Sequence, residues 1–169
     1  MNRFWNEYQK AIADDHYFYE RSCIRQTFFP GSETAFLRML REELNKDIFD
    51  DFRQHTCTGI GYHTDLVPLE TTMTVVARLF SLMTEHGYEN YVPSCVTSFG
   101  VFTEMCHMWQ EHPELLEKTR ENLYKACKRE FNIPKNIAHP SDVIYHFRNE
   151  LAEKRSEERF SRNAETDLV

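Results

Sequence analysis

Five cysteines stand at positions 23, 57, 95, 106 and 127, and the first three are set apart by nearly equal gaps: 33 residues separate Cys23 from Cys57, and 35 separate Gly59 from Cys95. The order is a cysteine, a long gap, Cys57-Thr-Gly59, a second long gap, and Cys95-Val-Thr-Ser98. Thiolates are soft ligands for zinc and iron-sulfur clusters, and they are also nucleophiles toward disulfides. The middle cysteine belongs to His55-Thr-Cys-Thr-Gly-Ile-Gly-Tyr-His-Thr-Asp65, which holds two of the chain's five glycines beside two histidines. Such a stretch can be a metal site, a nucleophile, a phosphate loop or an ordinary turn. No Gly-Lys-Ser or Gly-Lys-Thr follows it, which argues against a phosphate loop. Cys57 with His63 six residues later has the ingredients of a cysteine hydrolase but matches no hydrolase signature.

The elements around these residues can be read from periodicity. Phe4, Tyr8 and Ile12 recur at four, predicting a short helix over 1–15. Tyr17-Phe-Tyr19 is strand-like and runs toward Cys23. Ser32 can cap a helix from about Glu33 to Asn45. The segment 47–52 is ambiguous between strand and helix end. Leu69, Met73, Val76, Phe80 and Met83 predict a helix from about Pro68 to His86, with Gly87 just past its end. Tyr91-Val-Pro-Ser94 is extended and ends at Cys95. Further helices follow: one capped by Thr97 or Ser98, one opening at Pro113, and one capped by Ser141. Cys106 and Cys127 fall on apolar helical stripes and are expected in the core. From Ala152 onward the chain is polar and reads as a frayed tail.

The expected fold class is α/β: one small domain over 17–151, with an N-terminal helical extension over 1–16, a polar tail over 152–169, short strands ending in cysteine-bearing loops, and a helix-rich C-terminal half. Loops that follow the strands of an α/β unit lie on one side of the sheet, so Cys23, Cys57 and Cys95 are expected to converge.

Composition narrows the function classes. At 169 residues and 41% hydrophobic, the chain can build one core. A net charge of −7 leaves no basic face for nucleic acid. No apolar run approaches the roughly 20 residues that span a bilayer, and residues 1–15 lack a signal-peptide core. A soluble cytoplasmic protein with free or metal-bound thiols is the expectation.

The spacing resembles the CCG motif of the B subunit of heterodisulfide reductase, in which one cysteine is followed after about three dozen residues by Cys-Cys-Gly and, after a similar gap, by Cys-x-x-Cys. Thr74-Val-Val-Ala-Arg78, Gly87-Tyr88 and Asp142-Val-Ile-Tyr145 also fall where that family has similar segments. The likeness covers about residues 17–151 and one CCG unit, where the better-known B subunits carry two. Two motif positions differ: Thr58 and Ser98 stand where the family has cysteines.

The resemblance implies an iron-sulfur cluster, of 4Fe-4S or atypical type, held by Cys23, Cys57 and Cys95. Zinc or no cofactor at all is the alternative. His63 or Ser98 could supply a fourth ligand, and His63 could instead serve as a catalytic proton donor, with Asp65 orienting it. Gly59 and Gly61 would let the backbone approach the cofactor, and Arg25 and Arg78 could offset a cluster's charge. The implied role is a B-type subunit of a heterodisulfide-reductase-like complex in sulfur-compound oxidation, carrying out disulfide or persulfide redox and electron transfer. Its implied partners are a flavin-bearing A subunit, a ferredoxin-like C subunit and a lipoate-binding carrier protein. A non-catalytic interaction subunit with a degenerate site is the rival reading.

Overall fold

The computed structural model describes residue 12 and residues 15–54 and 57–156. The helix expected over 1–15, the tail beyond 156, and His55 lie outside these, apart from Ile12 and Asp15. Among the described residues four strands form one parallel sheet in the order β2-β1-β3-β4: β1 Tyr17–Glu20, β2 Ile48–Phe49, β3 Asn90–Pro93 and β4 Asn136–Ile137. The expected α/β class is therefore what the chain adopts.

The helices between the strands are α1 Cys23–Phe28, α2 Pro30–Arg38, α3 Gly59–His63, α4 Leu69–Glu85, α5 Val96–Glu111 and α6 Pro113–Cys127, and β4 is followed by α7 Pro140–His146 and α8 over 148–156. A π-turn, Met39–Glu43, extends α2 and ends before Asn45, whose positive φ of 49° breaks the helix. Gly87, at φ +75°, stops α4 as the sequence predicts.

The sheet divides the core into two layers. Alternation along β1 sends Phe18 to one face and Tyr17 and Tyr19 to the other. On the first face, Met73, Phe80 and Leu82 of α4, Phe102 and Trp109 of α5 and Leu123 of α6 enclose Phe18 and Tyr91. The Tyr91 ring lies 5.0 Å from Phe80 and 5.3 Å from Phe102 in edge-on contacts, and each buried ring contributes about 1.5–3 kcal/mol. Phe36, Leu37 and Leu40, with Val143 and Phe147, cover the second face.

Several expected boundaries move. Proline pre-sets the first turn of α2, so that helix begins at Pro30 and Ser32 sits inside it. His139 caps α7 through a capping box with Asp142, while Ser141 is a helical residue. Cys95, and neither Thr97 nor Ser98, precedes the first residue of α5. The polar stretch after Ala152 continues as helix to 156. Cys127, expected in the core, is exposed at the last position of α6, one step past the stripe made by Leu123.

Candidate sulfur site at the carboxyl edge of the sheet

In a parallel sheet every strand ends on the same edge, and a ligand crevice opens where consecutive connections leave in opposite directions. Here that switch lies between β1 and β3, which are adjacent while their connections run to β2 and β4 on opposite sides. Glu20 pairs with Pro93 at the end of the ladder, and the Ser94 N–H donates to the Glu20 carbonyl at 3.1 Å. Cys23 follows β1 by three residues and Cys95 follows β3 by two, so both flank this crevice. Cys57 enters from the connection after β2, immediately before α3. The structure therefore brings the three cysteines to one edge, although Cys23 opens a helix and Cys95 caps one where loops were expected.

The three thiols occupy different environments. Cys23 is exposed, Cys95 half-buried and Cys57 buried. The Cys57 Sγ accepts the Gly59 N–H at 3.3 Å and the Ser98 hydroxyl at 3.1 Å. Burial nonetheless pushes the Cys57 thiol up, with the Glu20 and Cys23 charges adding to the effect. Cys95 runs the other way. Burial raises it, but the N–H groups of Ser98 and Thr97 and the hydroxyls of Thr97 and Ser22 together hold it below the ordinary thiol range.

The tight loop explains the glycine at 59. A Cβ there would lie 3.0 Å from Thr97 Cγ2, 3.2 Å from Cys57 Sγ and 3.3 Å from Val101 Cγ2, so Gly59 lets α3 close on α5 beside the thiol. Gly61 faces Val67, whose Cγ2 would be 2.5 Å from an added Cβ, and its carbonyl accepts the N–H groups of Leu66 and Val67. Thr58 holds a left-handed conformation, φ 60°, and its hydroxyl donates to the Cys57 carbonyl at 2.6 Å.

Other expected residues are placed elsewhere. His63 is exposed at the end of α3 with its ring against Tyr62. Asp65 is exposed and in the left-handed region. The Arg78 guanidinium donates to the Arg53 carbonyl, and Arg25 is half-buried on α1. Cys106 is buried on α5 as expected, and burial pushes its thiol up to about 12.

Beneath the cysteines lies a polar layer that the cysteine pattern did not reveal. Glu20 is 1% exposed, and burial, with the charges of Cys95 and Glu33, drives its carboxyl well above the usual range. Its Oε2 has no hydrogen-bond partner among the described residues, and neither do the hydroxyls of Tyr19 and Tyr91. Glu33 Oε1 accepts the Ser22 N–H and the Ser94 hydroxyl, both at 2.9 Å, tying the ends of β1 and β3 together. One sequence signal could have found Glu20: it occupies a core-facing slot of an aromatic strand, where a charge is costly.

The donor set decides what the edge can hold. Ordinary cubane clusters and most structural zinc sites take four ligands. This edge offers three thiols, and at the fourth motif position the Ser98 hydroxyl is given to Cys57. Among the described residues no three His, Cys, Asp or Glu side chains are gathered as a metal-binding group. The residues present thus do not fit a four-thiolate cluster.

No family model matches the chain. Over 137 residues it is 27% identical to the B subunit of the ferredoxin:CoB-CoM heterodisulfide reductase of Methanosarcina acetivorans. This chain is similar to a heterodisulfide reductase B subunit. The match takes in 81% of the chain but only 43% of the archaeal protein, so the chain spans less than half the length of this relative. No helix among the described residues is long and apolar enough to cross a membrane.

Proposed function

We propose that the chain is a B-type subunit of a heterodisulfide-reductase-like complex, handling disulfide or persulfide sulfur at its strand-end thiols in the oxidation of sulfur compounds. The observation that carries this reading is the placement of Cys23, Cys57 and Cys95 around the β1/β3 crevice, in a chain whose sequence follows a heterodisulfide reductase B subunit over most of its length. Flavin and ferredoxin-type clusters belong, in this reading, to partner A and C subunits, and a lipoate-binding carrier delivers sulfur. The residues of this chain bind the sulfur compound at the crevice, where the exposed Cys23 and the half-buried Cys95 can be reached from solvent.

A second reading keeps the chain in such a complex as an interaction subunit without a cluster. The Ser98–Cys57 hydrogen bond favours it, because the fourth motif position is already committed to a neighbouring thiol. Metal analysis of anaerobically purified protein separates the two: about four irons per chain with absorbance near 400 nm marks a cluster whose fourth ligand comes from elsewhere. One zinc per chain marks a structural metal, and metal-free protein the cluster-free form.

The function itself is tested in the complex. A tagged chain isolated from its native cells is expected to co-purify with a flavin-bearing oxidoreductase subunit. Replacing Cys57 and Cys95 together by alanine is expected to abolish disulfide- or persulfide-dependent electron transfer to or from the flavin. Full activity of the double-alanine complex overturns the proposal.

A further inference from the structure

We infer that the carboxyl edge of the sheet is a self-association face, on which a second copy of this chain docks across a two-fold axis. The inference goes beyond the proposed function and does not depend on the chemistry the thiols perform.

The topology collects exposed apolar side chains at this edge. Every strand starts at the opposite edge, so the stretch between a strand's end and the helix that carries the chain back stays on the carboxyl side. Those stretches are α1 with the start of α2, α3 with the loop into α4, and the first turn of α5. Nine large hydrophobic side chains are exposed among the described residues, and five of them stand here: Phe28, Phe29, Ile60, Leu66 and Val96, each 54–79% exposed. Phe52 lies on the same side but among the ion-paired Asp50, Asp51 and Arg53. The five side chains offer on the order of 600 Å², most of the roughly 800 Å² that one partner buries in a standard interface.

The same stretches are nearly free of charge. Residues 23–32, 57–69 and 95–103 carry two charged side chains, Arg25 and Asp65, in a chain that is 28% charged. At the chain's average they would hold about nine, and such depletion is the mark of an interface core. Other surfaces carry dense, paired charge, as in Arg38–Glu42, Lys125–Glu121, Arg129–Glu85 and Lys135–Glu89.

The charge pattern also selects the occupant. A chain with a net charge of −7 repels its own copy over most of its surface, and a second copy can approach only where the local charge is near zero. The edge meets that condition with one cation and one anion, neither of them ion-paired among the described residues. Across a two-fold axis residue i meets j while j meets i, so Arg25 of each copy can face Asp65 of the other. A face built for an acidic or a basic subunit would instead carry an excess of one sign. The contact sets two crevices opposite each other and covers the exposed Cys23 of each copy.

Sedimentation velocity of the full chain over a range of concentrations tests this. The expected result is a monomer–dimer equilibrium, weakened about tenfold by Leu66→Asp, an exposed position where the change leaves the fold intact. Arg25→Asp and Asp65→Lys, each confirmed folded by its melting transition, are expected to stay monomeric alone and to form a dimer when mixed, because only the mixture restores opposite charges at both contacts. Alkylation of Cys23 is expected to slow as the dimer forms, while that of Cys127, exposed on α6, is unchanged. A monomer at every concentration, a dimer indifferent to Leu66→Asp, or protection of Cys127 in place of Cys23 overturns the inference. A monomer that binds a flavin-bearing subunit through this face also overturns it, and leaves the proposed function standing.

Discussion

Gly59→Ala tests the close approach of α3 to α5 on which the position of Cys57 depends. The added methyl would meet three atoms at 3.0, 3.2 and 3.3 Å, all tighter than ordinary van der Waals contact, and two of them belong to branched side chains of α5. Overpacking of this kind costs about 1–3 kcal/mol, against a helical gain for alanine of at most about 1 kcal/mol. A net loss of about 1–2 kcal/mol corresponds, for a chain of this size, to a fall in melting temperature of roughly 2–8 °C. Gly100→Ala is the internal control: its Cβ meets nothing within 4 Å, and it sits inside α5, so it is expected to raise the melting temperature. Thr97→Ser in the Gly59→Ala background removes the nearest atom, Cγ2, and is expected to recover part of the loss. Differential scanning calorimetry reads all four proteins, and native-state alkylation reads whether Cys57 becomes accessible. A Gly59→Ala protein that melts at or above the wild-type temperature would refute the packing argument.

Two further outcomes follow from groups near the site. Asp51, 3% exposed at its side chain, accepts from the Arg53 guanidinium at 2.6 Å, the Arg53 N–H at 2.7 Å and His86 Nε2 at 2.9 Å, and the Arg53 hydrogen bonds are the main cause that holds its carboxyl well below the usual range. A carboxyl lower in the folded than in the unfolded state stabilises above the unfolded value, near 4, and loses that contribution as pH falls below it. Chemical denaturation should therefore show wild type losing stability below about pH 4 more steeply than Asp51→Asn, which costs about 1–3 kcal/mol at neutral pH because Arg53 keeps Glu85 and some solvent; equal acid slopes would contradict the ion-pair assignment. Thr58 at φ 60° carries left-handed strain of about 1–2 kcal/mol, partly offset in glycine by a freer unfolded chain, so Thr58→Gly should stabilise by about 0.5–1 kcal/mol, and a lower melting temperature would contradict it.

What the sequence revealed and what it hid follow different physics. The long periodic helix α4 and its glycine stop were legible because burial of one face imposes a 3.6-residue repeat over many positions. The placement of Cys23, Cys57 and Cys95 after successive strands, at one edge of the sheet, was legible because strand-to-helix connections share an edge whatever their details. The two-residue strands β2 and β4 left no such mark: alternation cannot be read from two positions, and their pairing is set by β1 and β3. The exposure of Cys127 was hidden because a stripe of apolar residues does not say where the neighbouring element stops covering it. Within the site, pattern gave the thiols and missed Glu20, Ser22, Glu33, Ser94 and Thr97, whose roles come from contacts between elements distant in sequence.

Thr58 and Ser98 stand where the resemblance leads one to expect cysteines, and the structure gives them unlike duties. The Thr58 hydroxyl turns back onto the Cys57 carbonyl, so that position contributes to the shape of the loop. The Ser98 hydroxyl instead addresses the Cys57 sulfur, while the Ser98 N–H serves Cys95. A hydroxyl can donate to a thiol and still be neutral, whereas a second thiolate at this position would add a negative charge beside a buried thiol and a buried carboxyl. One side chain thereby satisfies the inner thiol, and its backbone helps to hold the outer one below the ordinary thiol range. The same exchange leaves the edge one ligand short of a four-thiolate site and sets a buried, hydroxyl-bonded Cys57 behind the more accessible Cys95 and Cys23.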